Sequence, residues 1–305
     1  MHMADTLISP IVGGTMWVAT VGVAAYSIRK VKQDLDDSKL PLMGVMGAFV
    51  FAAQMINFSI PGTGASGHIG GGLILAALLG PYAGFLVMAS VLAIQALFFG
   101  DGGTLAMGAN IFNLGVFTCF VAFPLIFKAI TRKGYSPRKI FVASLIAGIV
   151  GLQLGSLGVV LETIISGKTS FSFYSFLIFM QPIHLVIGVV EGFVTAAVIV
   201  FVWKNRPEIL NAKKLGDSRD KPSIWGVVIS FLVAAILLAG FVSWFASTNP
   251  DGLEWSLAKA DAVGKVDIYG SAGILGGAAT LLIVILAGVG IKFFKQRKAN
   301  KKKNN

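Results

Sequence analysis

Residues 68–81 read "HIGGGLILAALLGP": a histidine, three glycines, an apolar run and a Gly-Pro stop. Whether this stretch crosses a membrane decides the fold. A Gly-Pro pair marks a turn, and the apolar part is shorter than the ~20 residues that a spanning helix needs. Longer apolar runs lie around it, at about 10–28, 40–60, 81–99, 105–127, 140–165, 183–203, 224–246 and 272–291. The whole chain is 55% hydrophobic and only 13% charged, where soluble domains carry about 25% charged residues. The sequence therefore reads as an integral membrane protein, all-α, a polytopic helical bundle.

Charge placement turns this reading into a topology. Of the 25 Lys and Arg, 22 fall in four segments: 29–39, 128–139, 204–221 and the tail from 292. Basic loops stay on the cytoplasmic side, so residues 61–127 must cross an odd number of times. Three crossings satisfy this, and 68–81 is then expected to be a short crossing helix of its own. The total is about nine transmembrane helices, with the N-terminus outside and the C-terminus cytoplasmic. Seven belong to a first domain of residues 1–205. A cytoplasmic linker, 206–223, leads to a two-helix module at 224–305. The net charge of +11 is thereby a topology signal, and no nucleic-acid partner is expected. Cys119 sits alone in an apolar run, where it reads as a packing residue.

The same topology gathers the chemistry. The chain opens "MHMADTLISP" with no Lys or Arg before residue 29, unlike a removable secretory peptide, so Met1 is expected to keep a free amine. His2, His68 and His184 are all the histidines there are, and all fall on the outer side, with Asp101 of "GDGG". Glu191 lies two helical turns beyond His184 on the same face, and an intramembrane carboxylate is costly unless paired or functional.

Two motifs are refused. "GTGASG" at 62–67 has the letters of a dinucleotide fingerprint but follows a membrane helix, not a β-strand. "ETIISGKT" at 162–169 lacks the first glycine of a phosphate-binding loop. Neither ATP hydrolysis nor any other enzyme chemistry is expected, and no bound organic cofactor.

A free Met-His end can chelate a metal ion. The α-amine of Met1, the amide nitrogen of His2 and its imidazole Nδ1 close a five-membered and a six-membered ring. His68 would supply a fourth nitrogen, giving the tetragonal arrangement suited to Ni²⁺ or Cu²⁺. His184, Glu191 and Asp101 are candidates to support these ligands. Around "NPDGLEW", Asp251 and Glu254 read as turn residues.

Four stretches together resemble the CbiM/NikM family, the nickel/cobalt substrate-capture component of energy-coupling-factor (ECF) transporters. They are "MHMADTLISP", the region from "MGAFVFAAQ" to "GHIGGGL", the region from "ALLGPYAGF" to "NIFNLG", and "QPIHLVIGVVEGFVTAAV". The last third resembles the NikN-like, PDGLE-type module fused to it. The resemblance implies Met1, His2 and His68 as metal ligands and Ni²⁺ or Co²⁺ as the transported substrate. It also implies a transmembrane coupling (T) component and two cytoplasmic ATPase subunits as partners. The site would then lie on the outer face of a multi-pass protein of the plasma membrane. The alternative is an ion-coupled secondary transporter or channel for divalent metals, working without ATPase partners.

Overall fold

The computed structural model describes residues 2–34, 40–210 and 225–264. Met1, most of the linker and the span expected at 272–291 lie outside the described residues. Among those described, five helices are long and apolar enough to cross a membrane. They are α1 (Pro10–Asp34), α4 (Pro81–Phe98), α5 (Met107–Thr131), α6 (Pro137–Ser166) and α7 (Phe173–Asn205). Shorter apolar helices are α2 (Leu40–Gln54) and α8 (Trp225–Gly240), and α9 (Gly252–Gly264) ends the described chain.

Between α2 and α4 the reading needs refinement. Residues 58–67 form a small antiparallel hairpin, β1 (Phe58–Ile60) with β2 (Ala65–Gly67), the one sheet among the described residues. The stretch that opened the sequence question then forms α3 (Gly72–Leu79), eight residues long and largely buried. At 1.5 Å per residue it is about 12 Å long, well short of the ~30 Å hydrocarbon core. The expected helix is there, but it does not traverse a bilayer by itself.

Helix ends follow local rules. Pro10, Pro81 and Pro137 open α1, α4 and α6, where the missing N–H is not needed. The Ser136 and Ser172 hydroxyls accept the N–H groups of Lys139 and Ser175 as N-caps. The N-cap at Ser172 starts α7 ten residues before the sequence estimate. Packing between α6 and α7 uses glycine: a Cβ on Gly192 would lie 2.6 Å from the Leu145 Cα, and one on Gly188 2.9 Å from the Ile149 Cα. This is the close backbone approach that small residues permit in lipid.

Within α5, Phe112–Phe127 is wound wider, with i→i+5 hydrogen bonds. α3 lies directly against it: a Cβ on Gly72 would meet the Leu114 carbonyl at 2.8 Å. The buried thiol of Cys119 points at the Gly72 carbonyl (3.7 Å), as a packing residue would.

Candidate metal site

The N-terminal segment is clamped before α1 begins. Met3 is fully buried. Its N–H donates to Asn110 Oδ1 (2.8 Å), while its carbonyl accepts from Asn110 Nδ2 (3.1 Å) and from the Gly103 N–H (2.9 Å). Asp5 Oδ1 accepts the Ala106 N–H at 2.9 Å. The loop between α4 and α5 thus holds the first residues as a pairing strand would, and this fixes where His2 can be.

His2 and His68 come together. Their ring centroids lie 5.1 Å apart at an interplanar angle of 33°. His2 Nδ1 is 2.8 Å from Asp101 Oδ2, with the His2 side chain only 5% exposed. Its Nε2 is buried with no hydrogen-bond partner among the described residues. His68 Nδ1 sits 3.0 Å from the Ile69 carbonyl, which makes Nε2 the nitrogen that carries the lone pair. Burial, with His2 close by, holds the His68 imidazole down to about 3, so the ring is neutral. Burial raises Asp101, but the hydrogen bond from His2 and the positive charge around it together outweigh burial and keep it below its ordinary value.

The chelate expected from the sequence needs His2 Nδ1, which here is engaged by Asp101. A half-turn of the ring about Cβ–Cγ exchanges Nδ1 with Cδ2 and Nε2 with Cε1. Cδ2 then takes the place beside the carboxylate, Nε2 moves to where Cε1 stood, and Nδ1 faces the other way. A metal ion at Nδ1 would favour the turned ring.

The His68 loop is fixed from below by Glu191 of α7. Its carboxylate accepts the Gly70 N–H on Oε2 (2.6 Å) and the Gly71 N–H on Oε1 (3.0 Å). Glu191 is 1% exposed, so these donors are what makes its burial tolerable. Gly71 has φ +75°, and a Cβ there would lie 2.5 Å from Val50 Cγ1, so only glycine makes this turn into α3.

A cavity of about 240 Å³ opens beside the two rings, lined among others by Gln54, Asp101, Asp251 and Glu254. Asp251 and Glu254 were expected to be solvated turn residues; both form the turn, Asp251 Oδ1 accepting the Glu254 N–H (2.8 Å) and Glu254 Oε2 the Asp251 N–H (3.2 Å), but Asp251 is half-buried. This reciprocal cap starts α9 while both carboxylates face the cavity. The turn is docked on the hairpin that carries His68. Ser66 N–H donates to the Pro250 carbonyl (2.8 Å), Ser247 N–H to Asn57 (2.7 Å) and Trp255 Nε1–H to Thr63 (2.9 Å).

His184 does not join the pair. Its Nδ1 is tied to the Met180 carbonyl (2.8 Å), and it lines a second cavity of about 10 Å³, shared with His68 and Asp251, room for one water. Sequence reading missed Glu162. It lies near the end of α6, nearly buried, and accepts from Asn113 Nδ2 at 2.8 Å, a second carboxylate buried within a long apolar helix beside Glu191. Gln54, Gln95 and Asn110 were also missed, since an amide in an apolar run has no spacing that marks it.

Comparison with known proteins gives the family of the chain. Residues 2–209 match the family model described as CbiM, cobalt uptake substrate-specific transmembrane region, and residues 225–268 match the PDGLE domain. The fused nickel transport protein NikMN of Rhodobacter capsulatus is 30% identical, covering 92% of this chain and 85% of that protein. The cobalt transport protein CbiM of Geobacter sulfurreducens is 28% identical, over 79% of this chain and 72% of that protein. A crystal structure of a transition metal transporter superposes with a TM-score of 0.61 at 30% identity, covering 72% of this chain and 100% of that one. The chain belongs to the CbiM family of nickel/cobalt transport membrane proteins, with a PDGLE domain in the same polypeptide.

Proposed function

We propose that the chain is the substrate-capturing component of an ECF-type importer, and that it binds Ni²⁺ or Co²⁺ at the outer face of the plasma membrane. The ligands are the Met1 amine, the His2 amide and ring, and the His68 ring. A transmembrane coupling component and two cytoplasmic ATPases supply the work. The observation that carries the reading is the approach of the His2 and His68 rings to 5.1 Å in a buried pocket. A divalent ion between the two rings gives their approach its reason.

Geometry favours this donor set. The His68 tautomer already offers Nε2. When the His2 ring turns, Nδ1 completes the chelate, and a shift of the Asp101 carboxylate along the ring edge brings it to the Nε2–H, the carboxylate–imidazole–metal arrangement that fixes a ligand ring. Four nitrogens in a plane suit Ni²⁺ better than an octahedral or tetrahedral site would. The described acidic turn, with Asp251 and Glu254, raises local cation concentration at the mouth of the cavity. The outside N-terminus and the division at 205 and 224 belong to the same proposal, whereas α3 is too short to count as one of the nine expected spans.

The test is an extension of the chain by one residue before Met1, which displaces the amine and the first amide together. Nickel affinity, titrated in detergent, should fall by a hundredfold or more, on the order of two lost ligands. Equal affinity in the extended chain refutes the chelate. The buried carboxylates Glu162 and Glu191 leave ion coupling as the competing mechanism, and uptake that persists in cells lacking the ATPase partners would favour it.

A further inference from the structure

The two arms of the site are tied together by a hydrogen-bonded path beneath the cavity. Gln54, the last residue of α2, is 3% exposed. Its Nε2 donates to the Gly70 carbonyl at 2.6 Å, two residues past His68. Its Oε1 accepts from Gln95 Nε2 at 2.8 Å. Gln95 is fully buried in α4, and its backbone carbonyl accepts the Asp101 N–H at 3.1 Å. Asp101 in turn holds the His2 ring at 2.8 Å. The path therefore runs from the His68 loop through Gln54 and Gln95 to Asp101 and His2.

Two primary amides buried among apolar helices are costly, since each brings donors and acceptors that must be satisfied. This pair is not even complete: Gln95 Oε1 is buried with no hydrogen-bond partner among the described residues. Apolar side chains of similar size would pack α2 against α4 without that loss. A pair retained at such a cost points to a use other than packing, and the path shows where it acts.

We infer that Gln54 and Gln95 are positioning residues, a coupled amide pair that sets the spacing between the His68 loop and the Asp101-held His2 ring. This rests on the metal reading above. Metal–nitrogen distances tolerate only about ±0.2 Å. The two rings arrive on segments more than sixty residues apart in sequence, so a rigid spacer between them decides whether the fourth ligand reaches the plane. The Gly70 peptide is held on both sides, its N–H by Glu191 and its carbonyl by Gln54. Only the Gln54 side connects onward to His2.

Gln95→Met separates this role from a structural one. Met is close in volume and flexible enough to fill the same space. The substitution deletes one unpaired acceptor, Gln95 Oε1, and creates another, Gln54 Oε1, so thermal stability should stay near the parent value. Nickel affinity of the full-length chain should nevertheless fall about tenfold, the loss of one buried hydrogen bond, and the d–d absorption of the bound ion should shift. Gln54→Met should weaken binding at least as much, and Gln54→Met/Gln95→Met no more than Gln54→Met alone, because both break one path.

Parent-like affinity and spectrum in Gln95→Met overturn the inference, as do losses that simply multiply in the double variant. If Gln95→Met is not recovered folded, Gln95→Leu carries the same expectation. A parent chain that binds no nickel overturns the metal reading and this inference with it. A parent that binds normally beside silent variants overturns only this inference.

Discussion

Glu191→Gln tests the His68 arm most directly. The carboxylate takes two consecutive backbone N–H groups at the start of α3, Gly70 at 2.6 Å and Gly71 at 3.0 Å. Gln keeps the volume and one acceptor oxygen, but its NH₂ aims a donor at one of the two N–H groups. One charge-assisted bond is lost and the other becomes neutral. Bonds to charged groups contribute about 1.5–3 kcal/mol against about 1 for neutral ones, and a buried donor left unpaired costs roughly 1–3 kcal/mol. Removing a buried charge offsets part of this, leaving a net loss of about 2 kcal/mol. Because the loop carries His68, that loss should appear as nickel affinity reduced roughly thirtyfold. The assay is calorimetric titration of the detergent-solubilised chain, with amide exchange at Gly70 and Gly71 read alongside. Parent-like affinity together with unchanged exchange would refute the view that Glu191 orders the His68 loop.

Three further outcomes are expected. His68→Ala should leave a three-nitrogen site that binds nickel at least tenfold more weakly and admits water as the fourth ligand, which X-ray absorption of the loaded protein would detect. Gly71→Ala should destabilise the fold by roughly 2–4 kcal/mol, from the left-handed backbone and overpacking against Val50. Val50→Ala in the same chain should restore only the contact part, as read by thermal unfolding. Nickel affinity should rise with pH between about 5 and 8, since the ion displaces protons from the amine, with a reference pKa near 7.7–8.0. His68 should contribute little to that slope, because burial already holds it neutral over the whole window.

The helices were legible because lipid leaves backbone polar groups no partner but their own segment, so each apolar run had to be a helix. Their ends were less so. The start of α7 is marked by Ser172, a single N-cap inside a polar stretch, whereas the apolar estimate waited for residue 183. The hairpin at 58–67 was out of reach for another reason. Its strands have three residues each, too few for an alternating pattern to be read, and part of its support comes from Ser247, Pro250 and Trp255, over 180 residues away. The histidines announced themselves by rarity, and the structure brings the His2 and His68 rings together while His184 stays tied to Met180.

Distance in sequence also explains what the fusion to a PDGLE domain contributes. The candidate site has a wall made by the turn at 247–255, and that turn is not a free flap. It donates Ser247 N–H and Trp255 Nε1–H to the hairpin and accepts Ser66 N–H from it, which makes it an added edge on the two strands that deliver His68. An isolated two-stranded hairpin is marginal, so the position of His68 depends on a docked partner segment. Supplying that segment within the same polypeptide replaces a bimolecular docking step with an intramolecular one at high effective concentration. Cutting the chain within 211–224 should then leave a capture domain whose His68 loop exchanges faster, and adding the separated module back should restore protection in a concentration-dependent way. Full protection of the loop in the severed capture domain alone would mean that the hairpin is held by the helices, and the turn would be reduced to a lining surface.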